Sequence, residues 1–364
     1  MKTIYFTVTN DLNFDQRMMR ICTSLSNKGY RVVLIGRKKP DSPTCTQQPY
    51  EQLRIRCLFN KGLLFYAEYN FRLFWLLLFK KMDVVCAIDL DTILPCLLVS
   101  IIRNKKRVFD AHELFCEMKE VVSRKWVFKT WKLLERLTVP RFRHGYTVNQ
   151  PLADAYEKMY QIRLSVIRNM PWRTSLSTDT IAEREDFILY QGAVNEGRCF
   201  ETLIPAMKEV DCTLIVCGEG NFMQQARQIT SALDLEKKII FKGMIAPEQL
   251  KSYTVKAKIG LTLFEKESNN NYLSLANRYF DYIQACTPQL AMNYPAYREL
   301  NQIHHTGVLI DDTSSKSIAE GLNLLLNDKK LWQDLHNNCN KAAKEFCWEK
   351  EEIKLISFYQ QLIG

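Results

Sequence analysis

The feature that most constrains the fold of this chain is an alternation of short β-branched or apolar runs with longer segments of helical spacing. Segment 16–27, for example, places Met18, Cys22 and Leu25 on one helical face, and Gly29 follows as a typical helix end. Because parallel strands need crossover segments between them, the alternation predicts parallel α/β sheets. Six strands are predicted in each half of the chain, at 4–9, 32–36, 84–88, 108–111, 145–148 and 165–167, then at 187–191, 213–217, 238–241, 259–263, 288–291 and 308–310.

The chain is long enough for two domains, since its 364 residues exceed the length of roughly 250 to 300 residues at which single cores stop growing. Residues 171–186 lose the apolar period and are rich in Ser, Thr and charge, so a linker is predicted at 173–186. We expect an α/β protein of two Rossmann-like domains, 1–172 and 187–348, whose parallel sheets face each other across a cleft. A final helix at about 349–364 is expected to pack back on the first domain.

Composition argues against several classes of protein. The twelve cysteines include no Cys-x-x-Cys pair and no Cys/His cluster at zinc spacing, so neither a disulfide framework nor a structural metal is indicated. The apolar stretch at the N-terminus is too short for a signal-peptide core. The apolar run 71–79 is interrupted by Arg72 and falls short of the roughly 20 residues of a membrane span. We therefore expect a cytoplasmic protein with reduced thiols.

The charge of the chain is uneven. Residues 1–175 hold 30 Lys/Arg and 15 Asp/Glu, whereas residues 176–364 hold 20 and 25. Segment 119–144 alone has eight Lys/Arg against two Glu, with Trp126, Phe128, Trp131 and Phe142 between them. This pattern is typical of a helix on an anionic membrane surface, to which run 71–79 could contribute, and an aromatic face in the domain core explains it equally well. Peripheral attachment at the inner face of the membrane is thus one expectation. Nucleic acid is disfavoured as a partner, because the charge follows no recognised nucleic-acid module.

In the second half, the loops after the strands are candidate ligand sites, since open parallel sheets bind ligands beyond the carboxyl ends of their strands. Strand 187–191 is followed by Gly192, Gly197 and Arg198. Glycines allow close approach of the backbone and arginine is a forked donor, which together suit a diphosphate, although ordinary turns use glycine as well. The next loop, Gly218-Glu-Gly220, lacks the third glycine of the dinucleotide fingerprint, which disfavours a dehydrogenase.

Other polar residues are candidates as well. Arg278 and Asp281 share one face of a predicted helix, either as a surface ion pair or as ligand contacts. In the first half, His112 follows a strand, where a histidine can donate a hydrogen bond to a substrate or carry a proton. Asp89 and Asp91 resemble paired carboxylates of a cation site, but the residues that follow them favour a helix start.

Together these segments resemble family 4 glycosyltransferases, specifically the subgroup with a strand-end Asp-x-His-Glu. The similar segments stand in family order and cover nearly the whole chain: 14–17 (FDQR), 89–91 (DLD), 110–115 (DAHELF), 148–151 (VNQP), 190–198 (YQGAVNEGR), 218–220 (GEG), 241–243 (FKG) and 280–282 (FDY) leading to Pro288. The resemblance implies the GT-B fold and a retaining transfer, in cell-surface polysaccharide synthesis. The donor would be a nucleotide-diphosphate sugar, the acceptor a hydroxyl of a lipid-linked saccharide, and no metal or other cofactor would be obligatory.

The resemblance also implies roles for individual residues. The second domain would bind the donor through Gly192, Arg198, Gly218, Gly243, Ser274, Leu275, Ala276, Asn277, Arg278 and Asp281. The first domain would bind the acceptor through Asn10, Asp15, Arg17, Asp89, Asp91, His112 and Glu113. Arg198 and Arg278 would stabilise charge on the departing diphosphate, and His112 would bind or orient the transferring sugar.

The chain departs from the family pattern at several of these positions. Ala193 replaces the arginine of the phosphate loop, Arg198 replaces its lysine, and Leu273 and Asp281 replace two glutamates separated by seven residues. These departures keep a second hypothesis open, a non-catalytic nucleotide-sugar-binding partner of another transferase. A nucleotide-sugar epimerase of the same fold is a further alternative.

Overall fold

The computed structural model describes residues 1–174, 184–266 and 268–364. The chain divides into two compact units, one formed by Met1–Asn169 with Glu351–Gly364 and the other by Met170–Lys350. Most of the predicted linker at 173–186 lies outside the described residues. Its last two residues, Glu185 and Asp186, already belong to a strand.

The first unit contains a parallel sheet of seven strands. They are β1 (Thr3–Thr7), β2 (Arg31–Lys38), β3 (Glu51–Arg56), β4 (Val84–Ile88), β5 (Lys106–Ala111), β6 (Gly145–Thr147) and β7 (Ser165–Val166), paired in the order β3-β2-β1-β4-β5-β6-β7. The helices between them are α1 (Gln16–Asn27), α2 (Gly62–Leu78), α3 (Ile93–Ile102), α4 (Lys119–Val122), α5 (Lys125–Thr138) and α6 (Gln150–Tyr160). All residues of the central strands β1 and β4 are buried, which explains why their sequences are nearly continuous apolar runs.

Strand β3 is missing from the sequence-based expectation. It lies at the edge of the sheet, and only Ile55 of its six residues is fully buried. Because an edge strand needs little apolar surface, the polar sequence EQLRIR carries only a weak strand signal.

The second unit contains a parallel sheet of six strands, all of which the sequence predicts. They are β8 (Glu185–Gln191), β9 (Thr213–Cys217), β10 (Ile239–Gly243), β11 (Ala257–Thr262), β12 (Gln289–Met292) and β13 (Gly307–Ile310), paired in the order β10-β9-β8-β11-β12-β13. The helices are α7 (Phe200–Ala206), α8 (Met223–Ala232), α9 (Pro247–Lys256), α10 (Asn269–Leu273), α11 (Asn277–Gln284), α12 (Pro295–Ile303), α13 (Ser315–Asn327), α14 (Lys329–Ala342) and α15 (Trp348–Ile363).

From Glu351 onward, helix α15 belongs to the first unit. Glu351 accepts a hydrogen bond from the amide of Arg168 at 2.8 Å, and Glu352 accepts one from the hydroxyl of Ser24 at 2.7 Å. Tyr359 is fully buried against Tyr146 of β6. The C-terminal residues therefore form part of the core of the first unit.

The basic and aromatic segment 119–144 has mixed surroundings. Phe142 is fully buried, and Trp131 packs on Phe115 with ring centroids 4.7 Å apart. Trp126, in contrast, is 81% exposed. The core interpretation is thus correct for Phe142 and Trp131 but wrong for Trp126. Among the described residues, we find no helix with both the length and the apolar character needed to span a bilayer.

Candidate functional site

In the first unit, a buried ionic cluster lies at the carboxyl end of β5. Asp110 is fully buried and accepts a hydrogen bond at 2.9 Å from Nη2 of Arg17, in the first turns of α1. Nη1 of Arg17 donates to the carbonyl oxygen of Ile167 at 3.1 Å. Arg17 is only 3% exposed, so it serves as the counter-ion of Asp110. A contact of Arg17 with the acceptor stays a prediction.

His112 lies between two carboxylates. Its Nε2 is 3.1 Å from Oδ2 of Asp110, and its Nδ1 is 3.4 Å from Oδ2 of Asp89. The backbone amide of His112 also donates to Oδ1 of Asp89 at 2.8 Å. Asp89 follows β4 with a φ of +50° and a ψ of −164°, a conformation that residues other than glycine rarely adopt. The imidazole ring is therefore held in one orientation, with about a quarter of its side chain exposed.

These contacts set the charge of the cluster. Burial opposes protonation of His112, but the charges of Asp110 and Asp89 outweigh it and raise the pKa of His112 to about 9. Burial also opposes ionisation of Asp110, but Arg17 and His112 lower its pKa. Burial raises the pKa of Asp89 to about 7, although His112 acts against this. The two carboxylates thus favour the protonated form of His112 over the neutral one.

Four other residues of the predicted acceptor site lie in loops and turns of the same unit. Oδ2 of Asp91 accepts a hydrogen bond from Thr9 at 2.6 Å, and its Oδ1 is buried without a hydrogen-bond partner among the described residues. Burial raises the pKa of Asp91 to about 6. Asp15 accepts hydrogen bonds from the amide of Met18 at 3.0 Å and from Asn10 at 3.2 Å, which makes it the N-cap of α1. The carbonyl of Glu113 accepts from Tyr156 at 3.0 Å.

We looked for a metal site among these acidic residues. In the part of the chain that the structure describes, three or more His, Cys, Asp or Glu side chains are nowhere arranged to hold a metal ion.

In the second unit, three glycine loops meet at the carboxyl ends of β8, β9 and β10. Gly192, Gly218 and Gly243 have φ values of +121°, +154° and +69°. The amide of Gly192 donates to Cys217 at 3.0 Å, and the amide of Gly218 donates to Gly243 at 2.8 Å. A Cβ at position 218 would lie 1.8 Å from the carbonyl oxygen of Gly192. Only glycine allows these loops to approach so closely, and the result is a surface of backbone groups at the end of the sheet.

Gln191, the last residue of β8, connects Arg278 and Asp281. Its carbonyl oxygen accepts a hydrogen bond from Nη1 of Arg278 at 2.9 Å, and its side-chain amide donates to Asp281 at 3.1 Å. Arg278 is only 8% exposed, with its guanidinium 4.5 Å from the ring centroid of Tyr190. Arg278 is therefore not part of a surface ion pair.

Arg198 lies close to Arg278 because both pack on Phe264. The guanidinium carbons of Arg198 and Arg278 are 4.4 and 4.7 Å from the ring centroid of this residue. Arg198 follows Gly197, whose φ is +78°, and it is half-buried. The structure thus brings together two of the predicted cations beside the glycine loops.

In segment 274–277, which is predicted to bind the donor, two backbone amides are hydrogen-bonded within the protein. The amide of Ser274 donates to Asn271 at 3.3 Å, and the amide of Ala276 donates to the hydroxyl of Tyr297 at 3.0 Å. Leu275 is buried in the core. Ser274 and Ala276 therefore use their amides within the protein, and the donor contacts of segment 274–277 stay a prediction.

The sequence analysis missed Asp110, Gln191 and Phe264 as residues of these clusters. The signal for Asp110 is present, since residues i and i+2 of a strand project on the same side and Asp110 therefore accompanies His112. Gln191 is a polar residue at the end of an apolar strand, which is a weaker signal. We find no local signal for Phe264.

Comparison with known proteins gives a family match for much of the second half. Residues 176–346 match the family model described as "Glycosyl transferases group 1". One relative is the Campylobacter jejuni enzyme named GalNAc-α-(1→4)-GalNAc-α-(1→3)-diNAcBac-PP-undecaprenol α-1,4-N-acetyl-D-galactosaminyltransferase. It is 23% identical over 317 residues, which cover 84% of this chain and 83% of the relative.

Solved structures similar to this chain include sucrose-phosphate synthase from Thermosynechococcus elongatus, with a TM-score of 0.80 and 15% identity over 100% of this chain and 99% of that one. Anabaena Alr3699/HepE in complex with UDP-glucose has a TM-score of 0.76 and 14% identity over 99% of this chain and 100% of that one. At these identities the likeness is one of fold. The predicted fold class, two Rossmann-like α/β domains with parallel sheets of the GT-B type, is confirmed.

Proposed function

Since residues 176–346 match the model of the group 1 glycosyl transferases, we propose that this chain transfers a sugar from a nucleotide-diphosphate sugar to a hydroxyl of a lipid-linked saccharide, with retention of configuration. The prediction of a glycosyltransferase is confirmed by this family and by relatives named as N-acetylgalactosaminyltransferases. One observation carries the proposal. The matched residues coincide with the unit that contains the glycine loops and the paired guanidiniums.

The donor diphosphate is proposed to bind at the carboxyl ends of β8 to β10. Gly218 and Gly243 hold the loops close together, the position of a Cβ at Gly192 lies 3.2 Å from Nη1 of Arg278, and Arg198 supplies a forked cation beside them for the phosphate oxygens. Arg278 is buried, so we propose that it holds Gln191 and adds positive potential. Asp281, held by Gln191, is proposed to accept ribose hydroxyls. The similar Anabaena protein was solved in complex with UDP-glucose, which supports a UDP-sugar as donor.

The acceptor is proposed to bind in the first unit, near Asp89, Asp91, His112 and Glu113. Because both ring nitrogens of His112 face carboxylates, we propose that His112 holds Asp89 and Asp110 in place and lends positive charge to the site of the transferring sugar. The proton of the acceptor hydroxyl would pass to an oxygen of the departing phosphate as the new glycosidic bond forms. The Campylobacter relative is named for an undecaprenol diphosphate acceptor, which supports a lipid-linked saccharide and a role in cell-surface glycan synthesis.

A lipid-linked acceptor requires access to a membrane, and helix α5 has a suitable surface. Trp126, Leu133 and Leu137 are 81%, 59% and 51% exposed, and their spacing places them on one face of the helix. Lys125 and Lys129 lie on the same helix. We propose that this face contacts the anionic inner surface of the membrane.

The membrane contact is tested by co-sedimentation with anionic vesicles. Binding should weaken as salt screens the lysines, and the double substitution Trp126→Ser with Leu133→Ser should reduce it at least tenfold. Val122→Ser, on the preceding helix, is a control for the loss of exposed apolar surface, because Val122 is 49% exposed. Equal binding of all these proteins would contradict the contact.

The transferase proposal is tested with Arg198→Ala. Removing a donor that stabilises transition-state charge typically costs about 2.7 to 4 kcal/mol of barrier, so turnover should fall about a hundredfold or more. Lys258→Ala removes a cation at the amino end of β11 and should leave turnover unchanged. Near-normal turnover of Arg198→Ala would overturn the role of Arg198.

The donor and the stereochemistry are tested with the wild-type protein. In a thermal-shift panel of UDP- and GDP-sugars, a tight donor should raise the melting temperature by mass action. NMR of the product should show the same anomeric configuration as in the donor. Donor binding without transfer would favour the non-catalytic partner, and conversion of the free nucleotide sugar would favour the epimerase.

A further inference from the structure

A cluster of basic residues lies at the amino end of β5, whereas the proposed acceptor site lies at its carboxyl end. An open cavity of about 240 Å³, which we name the basic pocket, is lined by Lys105, Lys106, Arg107, Arg141, Arg143 and His144. Lys106 is the first residue of β5, whereas His112 follows the carboxyl end of the same strand. Six residues of extended strand span roughly 20 Å, so the basic pocket is separate from the proposed acceptor site.

The geometry of the pocket is set by anchored residues. Arg107 donates to the carbonyl of Arg141 at 2.8 Å and to the hydroxyl of Ser100 at 3.3 Å. The ring of Phe142 is fully buried and packs against Phe109 of β5. Because Phe142 points into the core, its neighbours Arg141 and Arg143 are exposed. The two short segments 105–107 and 141–144 thus form a fixed concave surface.

The positive charge of the pocket has no compensating carboxylate among the described side chains. None of the six lining residues is in an ion pair, whereas many other cations of the chain are paired. The backbone of Asp83 is hydrogen-bonded to that of Lys106, but the Asp83 carboxylate lies at the amide of Thr3, at 2.8 Å, and forms no ion pair with the described residues that line the pocket. Burial lowers the pKa of His144, and the positive charges of Lys106, Arg143 and Arg107 lower it further. The cations around the pocket therefore repel one another.

We propose that the basic pocket binds a phosphate group, as an orthophosphate or diphosphate ester or as a free ion. Arginine forks match phosphate oxygens, and the lysines add charge. One water needs roughly 10 to 15 Å³ of such cavity volume, so the pocket is large enough for a phosphate with part of its hydration shell. The six lining residues include no phenylalanine, tyrosine or tryptophan on which a base could stack, which disfavours a nucleic acid.

The neighbouring surface indicates a membrane as one source of this phosphate. Leu98, Ile101 and Ile102 of α3 are 42%, 55% and 61% exposed, and two residues separate Ile102 from Lys105 of the pocket. An apolar stripe that ends in a cluster of cations suits the boundary between acyl chains and head groups. A soluble phosphate is the other source with the same chemistry. The site does not depend on the transferase activity.

The first experiment follows the imidazole resonances of His144 by NMR while inorganic phosphate is added at constant ionic strength. A phosphate beside the ring should raise the pKa of His144. The double variant Arg141→Gln with Arg143→Gln should weaken phosphate binding at this site at least tenfold. Lys28→Gln with Lys61→Gln removes two exposed charges elsewhere in the unit and should change nothing. Arg198→Ala should also leave the response intact, which separates this site from the donor site.

The second experiment identifies the source of the phosphate with phosphatidylcholine vesicles that contain or lack phosphatidic acid. If a lipid head group is the ligand, the pocket variant should lose binding to the acidic vesicles, whereas the matched control should retain it. If both variants bind vesicles equally while the pocket variant no longer responds to phosphate, the ligand is soluble. The proposal is overturned if wild-type His144 does not respond to phosphate, or if the pocket variant responds as the wild type does.

Discussion

At the scale of single residues, the unusual feature is an imidazole held between two acids. Asp110 is buried and also needs Arg17 as a counter-ion, whereas Asp89 is partly exposed and contacts only His112 among the described cations. The two carboxylates therefore differ in what their removal would do. Loss of Asp110 leaves a buried arginine without its partner, a change that typically costs about 3 to 5 kcal/mol. Loss of Asp89 removes negative charge from His112 and leaves that ion pair intact.

Asp89→Asn should therefore change the pH dependence of stability. The pKa of His112 in the folded protein, about 9, is above its ordinary value of 6.5. Its protonation thus stabilises the fold fully below pH 6.5, and this contribution is lost as the pH rises towards 9. The slope for one proton is at most about 1.4 kcal/mol per pH unit. In Asp89→Asn, the pKa of His112 should be lower, so the loss should end at a lower pH.

This prediction is measured by chemical denaturation at a series of pH values, with an NMR titration of the His112 ring beside it. Asp154→Asn, on the exposed side of α6, serves as the control. If the loss of stability ends at the same pH in Asp89→Asn as in Asp154→Asn, the carboxylate of Asp89 does not stabilise the protonated form of His112.

At the scale of elements, the carboxyl ends of β8 to β10 depend on glycine for a reason that differs from an ordinary turn. Gly29, at the end of α1, has a φ of +96° and open space around it, so only its backbone conformation requires glycine. Gly218 has both a positive φ and a neighbouring carbonyl oxygen 1.8 Å from the position of a Cβ. The first glycine terminates a helix, whereas the second brings two loops together.

Gly218→Ala should consequently destabilise the second unit by about 3 kcal/mol or more, because a carbonyl group in the backbone cannot move aside as a side chain can. It should also weaken donor binding, since the loop of Gly192 must shift. Gly29→Ala should cost only the strain of a positive φ, about 1 kcal/mol. Denaturant unfolding of both variants measures the difference, and similar losses would show that the loops can separate without cost.

At the scale of the whole molecule, the chain is not divided in sequence order. The last residues of α15 belong to the unit that begins at Met1. Tyr359 packs on Phe6 of β1 at 6.0 Å between ring centroids, and its hydroxyl is 3.3 Å from that of Tyr146. The first unit therefore needs both ends of the chain for its core.

Tyr359→Ala should destabilise the first unit by about 3 to 5 kcal/mol, as removal of a large buried ring does, and should leave the second unit unaffected. Tyr359→Phe keeps the ring and should cost only about 1 kcal/mol, from the lost hydrogen bond. Native-state hydrogen exchange, read separately for peptides of β1 and β8, distinguishes the units. Equal loss of protection in both would mean that they do not unfold independently.

Much of this architecture follows from local patterns in the sequence. Twelve of the thirteen strands among the described residues are recognisable from their apolar runs, because burial on both faces of a parallel sheet demands such runs. The same pattern places His112, Gly192 and Gly218 at strand ends. Only β3 is not predicted from the sequence, because an edge strand with half-exposed residues needs no apolar run.

The sequence by itself thus determined the fold class, the strand positions and the neighbourhood of the proposed site, since these depend on spacing along the chain. Only the tertiary structure decided which groups meet. Arg17 and Asp110 are 93 residues apart yet form one buried pair, and Arg107 and Arg141 approach one basic pocket from separate segments. Likewise, the amide of Ala276, a residue predicted from the sequence to bind the donor, donates a hydrogen bond to the hydroxyl of Tyr297. Burial and hydrogen-bond partners are properties of contacts between distant segments, and no local period records them.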